Sequence, residues 1–144
     1  MTARDLAQPP DEKILPTKDF QVYITFEDYN RFVQAWTRRT GRRIDFPRKL
    51  KPRLVALHYI LMRFNRATTY AENEVNTIIL KANPFKIDHV QVRRYLVDYG
   101  MLGRKGDGSQ YRVARTYLAL VHWDPLIPGT SLSETSAVAQ FMEA

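Results

Sequence analysis

The order of helix and strand signals between residues 52 and 113 constrains this chain more than any other feature. Pro52 suits the first turn of a helix, where a backbone N–H has no partner to lose. After it, Leu54, Val55, Leu57, His58, Leu61, Met62 and Phe64 predict a helix of about four turns. Thr68-Thr69-Tyr70 is β-branched and aromatic, enough for a very short strand. Thr69 with Glu72 three residues on reads as a capping box. The helix it opens buries Val75, Ile78, Ile79 and Ala82, and stops at Asn83-Pro84. Asp88 then caps a helix from His89 to Tyr99, and Gly100 closes it in the left-handed conformation of a C-cap. Beyond Gly100 the period changes: two short strands, Met101–Lys105 and Gln110–Val113, flank Gly106-Asp107-Gly108-Ser109 and read as a β-hairpin. Helix, short strand, helix, helix, hairpin is the order of a winged helix-turn-helix. The expected fold class is mainly α with a small β-hairpin.

The flanks are less constrained. Residues 1–18 are polar, carry three prolines and read as a flexible arm. Residues 20–24 have weak strand character. Thr25 then precedes Glu27 and Asp28, a hydroxyl cap followed by acids where the helix dipole favours them. Phe26, Tyr29, Phe32, Val33 and Trp36 follow at helical spacing, which predicts an amphipathic helix over 26–40 ending at Gly41. That aromatic stripe reads as a docking face rather than a cofactor site. Phe26, Tyr29, Phe32 and Trp36, with Trp123 of the tail, are therefore candidate partner-binding residues. At the far end an apolar piece, Tyr117–Trp123, leads into Pro125, Pro128 and Gly129, and a short amphipathic segment covers Ser133–Met142. This extension is expected to pack back on the first helix or to grip a partner. The chain divides into an arm (1–18), a helix with a basic linker (19–45), a winged-helix domain (46–115) and an extension (116–144).

Charge sharpens the functional reading. The 144 residues carry a formal charge of +7. Residues 31–115 hold nineteen basic against six acidic side chains, whereas 1–30 and 116–144 are each at −3. A basic body between weakly acidic ends points to a polyanion-binding surface. There are no cysteines, which excludes disulfides and thiolate metal sites. No apolar run approaches the roughly 20 residues of a membrane span, and the first thirteen residues have no hydrophobic signal core. A cytoplasmic, non-membrane protein is expected.

The basic body also carries specific motifs. They are Phe46-Pro47-Arg48-Lys49, an apolar helix reaching Phe64, Tyr70-Ala71-Glu72-Asn73-Glu74-Val75-Asn76, Arg93-Arg94-Tyr95-Leu96-Val97-Asp98-Tyr99-Gly100-Met101-Leu102, and Asp107-Gly108. Over residues 46–113 the chain resembles the bacterial "domain of unknown function 2087" family. The resemblance implies a winged-helix fold, often part of regulators and sometimes fused to another helix-turn-helix or to an acyltransferase. It implies no reaction, and it leaves 1–45 and 114–144 unassigned.

In a helix-turn-helix the second helix offers its N-terminal half to the major groove. On the 89–99 helix, Val90, Leu96 and Val97 can share a buried side, with Val92 as a further possibility. His89, Gln91, Arg93, Arg94 and Tyr95 then become the candidate DNA-reading set. Arg94 and Asp98 are also spaced for a helical ion pair, so one arginine of the pair can be structural. On the hairpin, Arg104, Lys105 and Arg112 fit phosphate contacts. The densest basic cluster is Arg42, Arg43, Arg48, Lys49, Lys51 and Arg53, suited to a phosphate backbone, an acidic protein or RNA. His58 reads as a core histidine. No Gly-rich phosphate loop precedes a lysine, no Gly-x-Ser-x-Gly occurs, and His58, His89 and His122 lie far apart. The expectation is a non-enzymatic DNA-binding regulator without metal or cofactor. A protein-binding adaptor, a homodimer and an RNA binder are the alternatives.

Overall fold

The computed structural model describes residues 22–38, 43–107 and 109–130. In chain order the elements are β1 (Tyr23–Ile24), α1 (Phe26–Thr37), α2 (Leu50–Leu61), β2 (Thr69–Tyr70), α3 (Glu72–Ala82), α4 (His89–Asp98), β3 (Leu102–Arg104), β4 (Tyr111–Val113), α5 (Thr116–Leu120) and β5 (His122–Trp123). The fold is mainly helical, with a three-stranded antiparallel sheet in the order β2-β4-β3 and a separate parallel pair, β1-β5.

The centre is α2. Leu54, Val55, Ala56, Leu57, His58, Ile60 and Leu61 are all buried, so over its second half this helix has almost no solvent face. A helix that is apolar all round must be covered all round. On one side α1 lies against it: the Trp36 ring meets Tyr59 edge-on at 6.4 Å and Phe85 at 5.0 Å. From another, Val92 and Leu96 of α4, with Tyr99 just beyond its end, join the same core. Tyr117, Leu118, Val121 and Ile127 close the remaining side. The buried cluster runs from Val22 to Ile127, so it crosses the expected boundaries at 46 and 115.

The helix boundaries differ from expectation in three places, each for a local reason. Helix α2 begins at Leu50, two residues before Pro52, which still falls within the first turn where amides have no helical acceptor. It ends at Leu61, and Phe64 is buried from the following turn rather than from the helix. The Thr69–Glu72 capping box does not form. Thr69 and Tyr70 are extended because they pair with Arg112 and Tyr111 of β4, so the cap moves to Ala71. Glu74 Oε1 accepts the Ala71 N–H at 2.7 Å, while alanine has no side-chain oxygen to return the bond. At α1 the Thr25 hydroxyl accepts the Asp28 amide at 3.0 Å, as expected. The helix runs to Thr37; its expected end at Gly41 lies outside the described residues, as do the 1–18 arm and Ser133–Met142.

The hairpin forms as expected, with Leu102 opposite Val113, Gly103 opposite Arg112 and Arg104 opposite Tyr111. At its tip Asp107 Oδ1 accepts both the amide and the hydroxyl of Ser109, at 2.9 and 2.7 Å. These bonds hold the Asp107 carboxyl below its ordinary pKa. Helix α4 closes at Gly100, whose φ is +78°. The Gly100 amide donates to Val97 O at 3.1 Å and the Met101 amide to Leu96 O at 2.9 Å, the paired bonds of a Schellman cap.

The C-terminal extension packs back on the entry to the first helix, by strand pairing. The His122 amide donates to Val22 O at 2.8 Å and the Asp124 amide to Ile24 O at 2.9 Å. Asp124 Oδ2 in turn accepts the Phe26 amide at 3.3 Å, satisfying a donor at the start of α1. Among the described residues, no helix is long and apolar enough to cross a membrane.

His58 is a fully buried polar group in this core. Its Nε2 is 2.8 Å from Pro128 O and its Nδ1 is 3.0 Å from the Tyr117 hydroxyl. A carbonyl can only accept, so Nε2 carries the proton and Nδ1 accepts from Tyr117. The neutral ring is fully satisfied, and burial pushes its pKa down to about 4. The unfolded chain therefore takes up this proton more readily than the folded one. The contribution is fully present above about pH 6.5, and roughly 3 kcal/mol of stability is lost as pH falls from there toward about 4. Urea denaturation at pH 7.5 and pH 4.5 should show that decline on top of any general acid effect. In His58→Gln, less stable at both values, the decline should shrink; an unchanged pH slope would remove His58 as its source.

Candidate functional site

Helix α4 buries Val92 and Leu96, and the chain continues the stripe with Tyr99. This corrects the expected Val90–Leu96–Val97 side: Val97 is only partly buried and Val90 is 37% exposed. Both stripes share Leu96, and the observed one encloses the Tyr99 ring, whose apolar area far exceeds that of a valine. Burial pushes the Tyr99 phenol up to about 12, against the pull of the neighbouring Arg53 guanidinium.

That rotation separates the two adjacent arginines. Arg93 turns toward α3, where its Nη1 donates to Asn76 Oδ1 and its Nη2 lies 3.7 Å from Glu72 Oε2. Its side chain is 16% exposed. Glu72 also accepts from the Tyr111 hydroxyl at 3.3 Å, which ties α3, α4 and the hairpin together. Arg94 is exposed, and the ion pair that its spacing from Asp98 permits is not formed. Together with Val90, Val97, Asp98, Arg104 and Tyr111, the two arginines line a cleft of about 330 Å³ between α4 and the hairpin.

The other expected contact residues sort in the same way. Arg104, Lys105 and Arg112 on the hairpin are exposed, as are Arg43, Arg48 and Lys49 in the linker. None of these side chains has an acidic partner among the described residues. Lys51, by contrast, is 3.5 Å from Asp28. Arg53 donates to Pro47 O at 3.0 Å and lies over the rings of Phe46 and Tyr95, at 5.1 and 4.8 Å. Tyr95 itself stacks on Phe46 at 5.6 Å. His89 is 3.4 Å from Asp88, its own cap residue, and Gln91 is half-buried. Arg42 lies outside the described residues.

The linker is held against the helix pair. The Ile44 amide donates to Pro84 O at 3.1 Å, and the Lys86 amide to Ile44 O at 2.7 Å. Arg48 thereby reaches a second cleft, shared with Phe46, Arg53, Lys86 and Tyr95, on the other flank of α4. Of the aromatic residues expected to meet a partner, Phe26, Tyr29, Phe32 and Trp36 pack against the core. Trp123 lies 4.7 Å from His58 and 5.7 Å from Tyr117, ring to ring.

Residues 42–113 match the profile of a bacterial family described as "Uncharacterized protein conserved in bacteria (DUF2087)". The chain belongs to this family. No curated protein and no solved structure matches it. The match adds Arg42–Asp45 to the stretch legible from motifs, and Ile44 in that addition is the residue bridged to Phe85.

The geometry also accounts for the Tyr70–Asn76 motif of the sequence. The Tyr70 hydroxyl accepts the Asn65 amide at 2.7 Å, Glu74 caps α3, Val75 is buried, and Glu72 and Asn76 hold Arg93. Sequence reasoning missed the last two as anchors. Their four-residue spacing on one helix was the available signal, because it places both on one face.

Arg93→Ala is expected to destabilise the protein by about 1–2 kcal/mol, the cost of a mostly buried charge-assisted hydrogen bond. The half-exposed Glu72 pair adds little to that. Arg94→Ala should change stability by less than about 0.5 kcal/mol. Urea denaturation of the two variants checks this division, and equal losses would overturn it.

Proposed function

We propose that the protein binds double-stranded DNA as a winged helix-turn-helix and acts as a non-enzymatic transcriptional regulator. In this reading α3 and α4 are the helix-turn-helix pair, with α4 in the major groove and the β3–β4 hairpin as the wing on the phosphate backbone. The order of elements supports the assignment, as does the hydrogen bonding of β2 to the hairpin, which makes the wing part of a three-stranded sheet.

One observation carries the reading: the division of the cations. Arg31, Lys51, Lys86 and Arg93 lie against acidic partners, and Arg53 against aromatic rings. Arg94 on the outer face of α4, and Arg104, Lys105 and Arg112 on the adjoining hairpin, have no such partner among the described residues, and neither do Arg43, Arg48 and Lys49 of the linker. Unpaired cations on a helix and the neighbouring hairpin match the two kinds of contact a groove binder makes. Two further observations weigh against the alternatives. The aromatic stripe of α1 packs against the chain's own core, which removes much of the face an adaptor would use. Phe46 and Tyr95 stack on each other beneath Arg53, so they do not offer open platforms to unpaired RNA bases.

Fluorescence anisotropy with a mixed-sequence duplex at several salt concentrations tests this directly. Binding should weaken steeply with salt. Lys105→Ala should reduce the log–log slope by roughly 0.9, the release expected for one lost phosphate contact, and Arg94→Ala should weaken binding by about 1–3 kcal/mol, the worth of one base contact. Absence of binding at low salt would refute the DNA reading.

A further inference from the structure

The exposed Val90 is unexplained by packing. It is 37% exposed and lies outside the set of residues packed against the core, whereas Val97, two turns along, belongs to that set. It stands in the first turn of α4, two residues after the Asp88 cap, whose carboxylate accepts the Val90 amide at 3.2 Å. One turn on is Arg94, and the two side chains share a face at i,i+4 spacing and line the same cleft. Its neighbours in the first turn are engaged elsewhere: His89 lies against Asp88, and Gln91 is half-buried.

A β-branched apolar side chain at the start of a helix, beside unpaired arginine, is poorly suited to a phosphate. It is suited to the one apolar group that a base pair presents in the major groove, the C5-methyl of thymine. Resting on the DNA-binding reading above, we infer that Val90 is a specificity-determining residue that contacts a thymine methyl, while Arg94 beside it contacts the neighbouring base edge or phosphate. The protein then prefers a thymine at one fixed position of its site.

The test uses the full chain and duplexes enriched from a random-sequence pool. Each thymine of the enriched site is replaced in turn by deoxyuridine, which removes the methyl group and leaves base pairing intact. At one position the unmodified protein should lose roughly fourfold in affinity, the equivalent of one buried methyl group. Val90→Ala should bind the thymine and uracil duplexes equally at that position, and its thermal melt should match that of the unmodified protein. The inference is overturned if no thymine is enriched, if no uracil substitution matters, or if Val90→Ala keeps the same discrimination. Those results would leave DNA binding itself standing. Failure to enrich or bind any duplex would instead overturn the DNA reading, and this inference with it.

Discussion

The structure depends on one helix that has nowhere to place a solvent face. From Leu54 to Leu61, α2 buries seven of its eight side chains, and exposing any large part of it would cost about 1.5–3 kcal/mol for each aliphatic residue. A single neighbouring helix covers only one side of such a surface. Helix α1, helix α4 and the segment from Tyr117 to Ile127 are therefore all required around it. The family-matched stretch supplies α4 alone of these three, and the flanks supply the others. The parallel β1–β5 pair is the seam that joins those flanks, and Asp124 adds a cap for α1 across it. His58 marks the same seam from inside, because both of its hydrogen-bond partners, Tyr117 and Pro128, come from the C-terminal extension.

This constraint explains which parts of the fold were legible in the sequence. Helices α3 and α4 and the hairpin are punctuated by local signals: Asn83-Pro84, the Asp88 cap, Gly100 and the Gly106–Ser109 turn. These act within a few residues, so they survive without knowledge of the tertiary fold. The pairing of Tyr23–Ile24 with His122–Trp123 joins segments about a hundred residues apart, and no local signal encodes it. The displaced capping box has the same origin. Thr69 and Glu72 make a good local cap, but the pairing of β2 with β4 claims Thr69 for the sheet. Long-range pairing overrides local preference there, as it commonly does in short strands.

The candidate site was legible in composition but not in assignment. A surplus of basic residues between 31 and 115 can be counted, yet counting does not say which are engaged. Arg93 and Arg94 are neighbours of identical type, and a rotation of α4 fixed by Leu96 and Tyr99 sends one to Asn76 and leaves the other in solvent. The same rotation brings out Val90, which a tally of apolar residues on the helix would place in the core. Arg53 illustrates the converse case. It sits in the densest basic cluster of the sequence, and the stacked rings of Phe46 and Tyr95 hold it in place.

The cations left over have an electrostatic consequence of their own. Arg94 and Arg104 line one cleft together with Arg93, and Asp98 is the sole acid among its lining residues. Like charges gathered in this way work against the compact state, and screening by salt relieves only part of that repulsion. The chain contains acids that neutralise other cations, such as Asp28, which serves both Arg31 and Lys51. None serves Arg94, Arg104, Lys105 or Arg112 among the described residues. On the proposed reading, a polyanion lying along α4 and the hairpin would relieve that repulsion and release its counterions in doing so. On the proposed reading, then, the charge that slightly weakens the free protein is the same charge that drives its binding, and Arg93, locked to Asn76 and Glu72, keeps the surface that carries it in register.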